Sequence, residues 1–424
     1  MKIKDIEKYI RKHTNADDFS CSISEDESHE TRFAQNSITQ HIAGPKLDIY
    51  LELSFGEKSG SCSVNQADEA SLDFLIKTAE DIACLAPADP EHMPSTGPAK
   101  LPEVQNCAEA TMKLKPKAMV EIVQKSIDKA IAMDALVSGM CEKHLMKNWK
   151  FSKNGFEGCN ESTSFGHSMT LKKGEVETKV SYEAKDYAPF DLDTEFARLQ
   201  AQAEALAGMQ SFEAQKIAVI LRPEALQELI WYLTWMMNRR QSDEGFTAFT
   251  GQLGKKFMGD KFSLYSTLKQ PTISAFPFSS EGLPSQETAW VKNGVLKNMP
   301  VNRYWAQKVA CEPQHIFNMY IPGGKISEEE MMKMVPRGLI INRFWYIRTV
   351  DMKAGELTGM TRDGVLYFEG GKVKHAVNNL RFNEIPHDMT RRILALGKEK
   401  LVSPASIVPT ALVDGFNFVD KTSF

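Results

Sequence analysis

The segment 216–257 reads KIAVIL, then RPEALQELIWYLTWMMNRR, then QSDEGFTAFTGQLGKKF. An apolar, β-branched run at 217–221 leads straight into a helix. Pro223 sits where a first helical turn favours it, because the N–H it lacks would be unbonded there and its φ is already helical. Leu226, Leu229, Ile230, Leu233 and Met237 fall on one face, while Trp231, Tyr232, Trp235 and Met236 cover much of the rest. A helix apolar nearly all round is expected to be buried. Arg239 and Arg240 are expected to close it against the negative end of its dipole. A strand entering a buried helix that leaves through a polar, glycine-containing loop is a common place to build a site. The window 231–236 nevertheless holds neither histidine nor glutamate.

A chain of 424 residues suggests two or three domains, and 42% hydrophobic with 25% charged residues allows each a sizeable core. A net charge of −4 gives no general attraction to nucleic acid, so direct DNA binding is not expected. The opening residues MKIKDIEKYIRKH are charged and amphipathic and read as a helix, not a secretory leader. The longest uncharged apolar run, 229–237, is too short to span a bilayer. Seven scattered cysteines with no CxxC pair fit reduced thiols and a cytoplasmic protein.

The fold class predicted is α+β, with two duplicated units of antiparallel sheet and flanking helices before a β-rich C-terminal domain. In the first unit, residues 1–86, a helix at 4–13 precedes strands at 19–24, 31–40, 47–55 and 61–65, with turns at Gly44-Pro45 and 56–60. Asp68 is a candidate N-cap for a helix to Ala86. A stretch carrying Pro87, Pro90, Pro94, Pro98 and Pro102 predicts a linker over 87–114. The central unit, 115–210, repeats the order: a helix at 116–134, strands near 136–141, 149–155, 164–171 and 177–183, and a helix at 194–207. Arg32-Phe33-Ala34-Gln35-Asn36 and Lys150-Phe151-Ser152-Lys153-Asn154 lie 118 positions apart (150 − 32), as do Gly56-Glu57 and Gly174-Glu175 (174 − 56). This spacing points to an internal duplication.

From 215 to 424 the chain is rich in short strands, with helices at 327–334, capped by Ser327, and near 389–398. Gly370-Gly371 between apolar runs signals a hairpin. Many antiparallel strands around one buried helix predict a barrel-like domain. Its polar set, Arg343, Tyr346, Arg348, Arg362, Asp363, Arg381, Asn383 and Glu384, is a candidate peptide-binding site, since arginine's planar fork suits a carboxylate or peptide backbone. Tyr346 and Arg348 should share a strand face, with Arg343 on the other. The same charges would serve equally as structural ion pairs, and Thr361-Arg362-Asp363-Gly364 has the make-up of an ordinary turn. His315 with Cys311 and Glu312 matches no standard metal spacing, and Pro313 places it in a loop. No nucleotide-binding glycine motif or serine-hydrolase motif is present. No cofactor and no metal are expected.

The chain resembles the TldD/PmbA family, the group named after the modulator of DNA gyrase proteins. Four places carry the likeness: Arg32-Phe33-Ala34-Gln35-Asn36-Ser37-Ile38, the strand 217–221 entering its helix, Gly251-Gln252-Leu253-Gly254, and a final meander with Leu357-Thr358-Gly359 and Phe368-Glu369-Gly370-Gly371-Lys372. The resemblance implies N-terminal, central and large β-rich C-terminal parts. It also implies a relation to zinc metallopeptidases that degrade unstructured peptides or trim peptide precursors as intertwined TldD–TldE dimers. In TldD-type chains the helix after this strand bears HExxxH, and a cysteine near the C-terminus completes the zinc site. Here Trp231 and Met236 stand where the histidines would be, Tyr232 where the glutamate would be, and no cysteine follows Cys311. The expectation is therefore a PmbA/TldE-type, non-zinc subunit that binds extended peptides, as a homodimer or beside a TldD-type partner. The alternative is a non-enzymatic scaffold acting on a gyrase-related or toxin–antitoxin partner.

Overall fold

The computed structural model describes residues 1–422. The first unit comprises α1 (Ile3–His13), β1 (Asp18–Ala34), β2 (Ser37–Phe55), β3 (Lys58–Val64) and α2 (Glu69–Leu85). The second comprises α3 (Glu109–Lys113), α4 (Pro116–Ala132), β4 (Leu136–Ser152), β5 (Glu157–Lys173), β6 (Val176–Ala184) and α5 (Leu192–Leu206). The duplication holds residue for residue along the strands: β4 starts and ends 118 positions after β1 (136 − 18 and 152 − 34), and β6 starts 118 after β3 (176 − 58). The two units build one six-stranded sheet, ordered β3-β2-β1-β4-β5-β6. Antiparallel pairing of β1 with β4 joins the halves.

In each half the helices cover one face. Ile6 and Ile10 of α1 and Leu72, Leu75, Ile76 and Ala79 of α2 bury Phe19, Cys21, Ile23, Ile49, Leu51 and Leu53. Asp68 caps α2 by accepting from Ser71 N–H at 2.9 Å, the role its sequence position predicts. The predicted boundaries need three corrections. The short strands at 19–24 and 31–40 are one long strand, and 31–40 straddles a hairpin whose tip residues Gln35 and Asn36 have φ of 49° and 59°. Gly44-Pro45 is not a turn but lies within β2. Pro45 is tolerated because β3 pairs only as far as Ile49, which leaves a free edge where a missing N–H is not felt.

The last part begins with β7 (Lys216–Leu221), α6 (Pro223–Met236) and α7 (Arg239–Asp243), then β8 (Leu264–Ser266), β9 (Thr288–Lys292), β10 (Val295–Leu296), α8 (Arg303–Lys308), β11 (Met319–Tyr320) and α9 (Glu328–Met334). It ends with β12 (Arg337–Asp351), β13 (Glu356–Glu369), β14 (Lys372–Val377), β15 (Leu380–Glu384), α10 (Pro386–Arg391), β16 (Ile393–Ser403) and β17 (Ser406–Lys421). Strands β7, β12, β13, β15 and β17 pair in a closed ring, parallel only between β7 and β12. Closure removes the sheet edges that an open meander would expose. Leu226, Leu229, Ile230 and Leu233 of α6 share a core with Val219, Leu221, Phe344 and Phe416 from that ring.

Three further expectations change here. Helix α6 is not buried all round, since Trp231 and Trp235 are 56% and 59% exposed. It ends at Met236, and Asn238 caps a new helix by accepting from Gln241 N–H at 3.0 Å. Arg239 and Arg240 thus open α7, and Arg240 makes a two-pronged ion pair to Glu91 of the proline-rich stretch (2.6 and 2.8 Å). The helix expected at 389–398 is a short turn, α10, followed by β16, because pairing with β17 overrides local helix preference. By contrast, Ser327 and Glu330 form the capping box expected for α9, and Gly370-Gly371 forms the β13–β14 hairpin. No helix of the described residues is long and apolar enough to cross a membrane.

Candidate functional site

A groove of about 740 Å³ opens where the N-terminal end of α6 meets the central unit. One wall is β6 with Arg198 and Gln202 of α5; the other is β16. Both are edge strands: β6 ends the six-stranded sheet, and β16 pairs with β17 alone. A second hollow of about 510 Å³ shares Ser181, Glu183, Lys400 and Val402 with the first, so the groove continues along both strands. An edge strand bordering an elongated hollow is an arrangement that can accept an extended chain by strand addition.

The floor is built by α6. Pro223 starts the helix, and its first turns project Glu224 and Glu228, four residues apart, toward the groove. Glu224 accepts from Lys400 Nζ at 2.8 Å and lies 3.5 Å from Arg198. Burial opposes its ionisation, yet Lys400 and Arg198 hold its carboxyl below the usual range. Glu228 has no such cation in contact. Burial pushes it up to about 7, with Asp363 and Glu224 adding to the shift, against the opposing pull of the Phe344 N–H and Arg343. Arg222 forks onto Glu328 (2.8 and 3.0 Å) and donates to Asn342 Oδ1 at 2.6 Å. Lys179, Lys325 and Lys398 on the rim have no ion-pair partner among the described residues. Two polar atoms at the groove, Arg198 Nε and Gln227 Oε1, are buried without a hydrogen bond.

Among the described residues the first hollow is lined by neither histidine nor cysteine, and Cys107 lines the second. A carboxyl titrating near neutrality can take or give a proton.

A family profile described as the PmbA/TldA metallopeptidase C-terminal domain matches residues 214–420. Residues 214–420 belong to the PmbA/TldD family. Metalloprotease PmbA of Escherichia coli O157:H7 is 23% identical over 199 residues, covering 45% of this chain and 43% of that protein. The match thus spans less than half the length of that curated relative. TldE of Thermococcus kodakarensis has the same fold, with a TM-score of 0.86 at 18% identity over 98% of each chain. So does a Thermotoga maritima MSB8 protein described as a modulator of a DNA gyrase, at 0.85 and 18% identity over 98% of this chain and 99% of that one.

At 231–236, where the resemblance to TldD-type chains implies HExxxH, the side chains present do not fit zinc. Trp231 faces solvent, the Tyr232 hydroxyl donates to Ile347 O at 2.8 Å, and Met236 is fully buried in the core. Three side chains that diverge, two of them without a metal-binding atom, cannot coordinate zinc. Among the described residues no three His, Cys, Asp or Glu side chains are grouped as a metal site requires. His315 shares a hydrogen bond with Ser285 Oγ at 2.9 Å, and Cys311 is exposed.

The eight polar residues singled out in the meander separate into three places. Arg343 and Asp363 pair at the groove, with Arg362 4.0 Å from the same carboxylate. Asp363 sits with φ of 59° inside β13, so 361–364 is an irregularity within a strand and not a terminal turn. Its carbonyl accepts from Asn342 and from Thr178 of β6, which fixes the central unit to the ring. Tyr346 and Arg348 do share a face, the guanidinium lying 4.1 Å from the ring centre, and Arg362 stacks on Trp345 at 4.4 Å. Both aromatics are exposed beside Trp231 and a small hollow bordered by Glu228. Glu384 is buried and bonded to Arg392, Asn383 meets Glu356, and Arg381 meets Thr358, all away from the groove.

Sequence reasoning did not single out Arg222, Glu224 or Glu228. Two glutamates four residues apart on an otherwise apolar helix were the available signal. The walls β6 and β16 have none, since their proximity arises only in the fold.

Proposed function

We propose that this PmbA/TldD-family chain is a zinc-free subunit of a peptide-processing pair and holds an extended, unstructured peptide in the groove between β6 and β16. The observation that carries this function is that two edge strands, β6 and β16, border one long hollow. Each edge offers a ladder of N–H and C=O groups to any sequence, so affinity comes from the backbone and selectivity from the groove's charges. Hydrolysis is left to a zinc-bearing TldD-type partner. The exposed Trp231, Trp235, Trp345 and Tyr346, with stacked Arg348 and Arg362, have the aromatic and arginine composition of a protein contact, which suits that partner or a second copy. The metalloprotease name of the Escherichia coli relative supports the proteolytic setting.

The test is fluorescence anisotropy of labelled, unfolded casein fragments with the purified chain, alone and mixed with a TldD-type subunit. Saturable binding that weakens at least about tenfold when Ser181→Trp or Ser403→Trp fills the groove supports the function. Absence of binding in both settings, or binding indifferent to those substitutions, overturns it.

A further inference from the structure

A second, separate cleft of about 640 Å³ lies on the other half of the molecule, under the first unit's sheet. Its floor is the sheet face opposite α1 and α2. Pairing sets Ser22 beside both Tyr50 and Lys150, and Ser20 beside both Glu52 and Ser152, so a polar patch runs across three strands. The roof is Ser280, Glu281 and residues 302–304, and the proline-rich stretch 89–96 closes one side.

Lys150 belongs to the repeated pentapeptide noted in the sequence, and nothing in the first groove uses it. It is only 9% exposed, and its ammonium has one long hydrogen bond, 3.4 Å to Ser22 Oγ. Two other lysines buried to the same degree are fully engaged. Lys143 donates to Met112 O and Leu114 O at 3.2 and 2.9 Å, and Lys185 to Gln105 O and Ile273 O at 2.6 and 3.3 Å. An ammonium with three donors, largely withdrawn from bulk solvent and with a single long protein contact, has donors free for a ligand in the cleft.

The cleft's other charges narrow the ligand. Asp18 is held by Ser95, Asp89 accepts from Glu91 N–H, and Glu91 is paired with Arg240. Arg303 donates to Pro94 O. Of the cleft's carboxylates, Glu52 and Glu281 are the two whose charge acts on Lys150; among the described residues neither is ion-paired, and Glu281 accepts only a long bond from Arg303 N–H at 3.4 Å. A simple anion would meet Lys150 but be repelled by the two acids, and a simple amine would leave Lys150 uncompensated. A molecule bearing both charges satisfies all three. We propose that this cleft binds the zwitterionic amino-carboxylate group of a free α-amino acid or a short peptide, with the carboxylate on Lys150 and the Ser20 and Ser22 hydroxyls and the ammonium toward Glu52 and Glu281. Such a site would let the chain respond to the small products of peptide breakdown, independently of the first groove.

The test is calorimetric titration and thermal unfolding of the full chain with glycine, L-leucine and glycyl-glycine, and with acetate and methylamine as half-ligands. The expected result is saturable binding and a raised Tm for at least one zwitterion, with neither half-ligand active alone. The amino acids and the dipeptide, run in parallel, identify which source of the group is preferred. Lys150→Met and, independently, Glu281→Gln weaken that binding at least about tenfold with the far-UV spectrum unchanged. If Lys150→Met does not fold, Glu281→Gln decides alone. No zwitterion binding to the wild-type chain, an equal effect of acetate alone, or wild-type affinity in a folded variant each overturns the assignment.

Discussion

The Glu228 carboxylate accepts the backbone N–H of Phe344 at 2.6 Å, tying the second turn of α6 to the middle of β12 at the edge of the groove. That bond favours the ionised form, but burial wins and raises the group from 4.5 to about 7. The folded protein therefore binds this proton more tightly than the unfolded chain does. Its contribution to stability is complete below pH 4.5 and is lost as pH rises through 7. In Glu228→Gln the side-chain oxygen still accepts from Phe344 but cannot ionise. We expect the variant to gain on the order of 1–2 kcal/mol over wild type between pH 5 and pH 7.5, after allowing for solvent screening at this half-buried site. Urea unfolding at the two pH values measures it. Parallel wild-type and variant curves would mean that Glu228 titrates normally.

The two faces of α6 should respond oppositely to truncation. Leu233 is fully buried in the ring's core, so Leu233→Ala is expected to cost about 2–5 kcal/mol. Trp231 and Trp235 lie more than half exposed, so Trp231→Ala and Trp235→Ala should cost no more than about 1 kcal/mol. Sedimentation should register those two variants instead, as weakened association with a second copy or a TldD-type subunit. Tm losses at the tryptophans equal to that of Leu233→Ala would show a helix enclosed on all sides.

That contrast marks where the sequence stops being informative. Helical spacing identified the buried stripe of α6, and Asp68, Ser327 and Gly370-Gly371 announced their caps and turn, because these signals are local. The duplication was legible because both copies keep the register of their strands. The run 25–30 looked like a break in β1 because it is polar, yet pairing with β2 and β4 on both sides carries the strand through. Pro45 looked like a turn for want of knowledge that its edge is free. The groove was illegible since β6, α5, α6 and β16 lie far apart in the chain, and Glu228 acquires its proton affinity only once they enclose it.

Residues of the meander that looked alike in sequence should separate on mutation. Glu384 is 5% exposed and accepts from Arg392 at 2.6 Å, Ile385 N–H at 2.9 Å and Asn417 N–H at 3.3 Å. Glu384→Ala leaves two amides unpaired and removes one partner of the part-exposed Arg392, which keeps Asp414 O and Gly415 O, for an expected loss of about 1–3 kcal/mol. Arg343 pairs at the groove with Asp363, whose carboxylate is just as buried, so Arg343→Met should cost a similar amount, about 1–3 kcal/mol, but should also weaken peptide binding. Denaturant curves and peptide anisotropy on the same two proteins separate the roles. A peptide defect in Glu384→Ala at temperatures where it stays folded, with none in Arg343→Met, would reverse them.

Metal dependence follows from where three side chains point. Zinc held by His and Cys would be bound to the folded chain and not to the unfolded one, so its removal would lower Tm and abolish any turnover. In this chain the Tyr232 hydroxyl is spent on Ile347 O, Met236 is sealed in the core, and Trp231 faces solvent. No rotamer change brings donors together, because indole and thioether offer zinc no suitable ligand atom. Elemental analysis should therefore find far less than one zinc per chain. Adding zinc or chelator should leave Tm unchanged, and the chain alone should not cleave unfolded casein. When a TldD-type subunit is added, chelator-sensitive cleavage should appear, and Ser181→Trp in this chain should slow it. Stoichiometric zinc with chelator-sensitive cleavage by the chain alone would require ligands from outside 231–236 and would end the division of labour proposed for the pair.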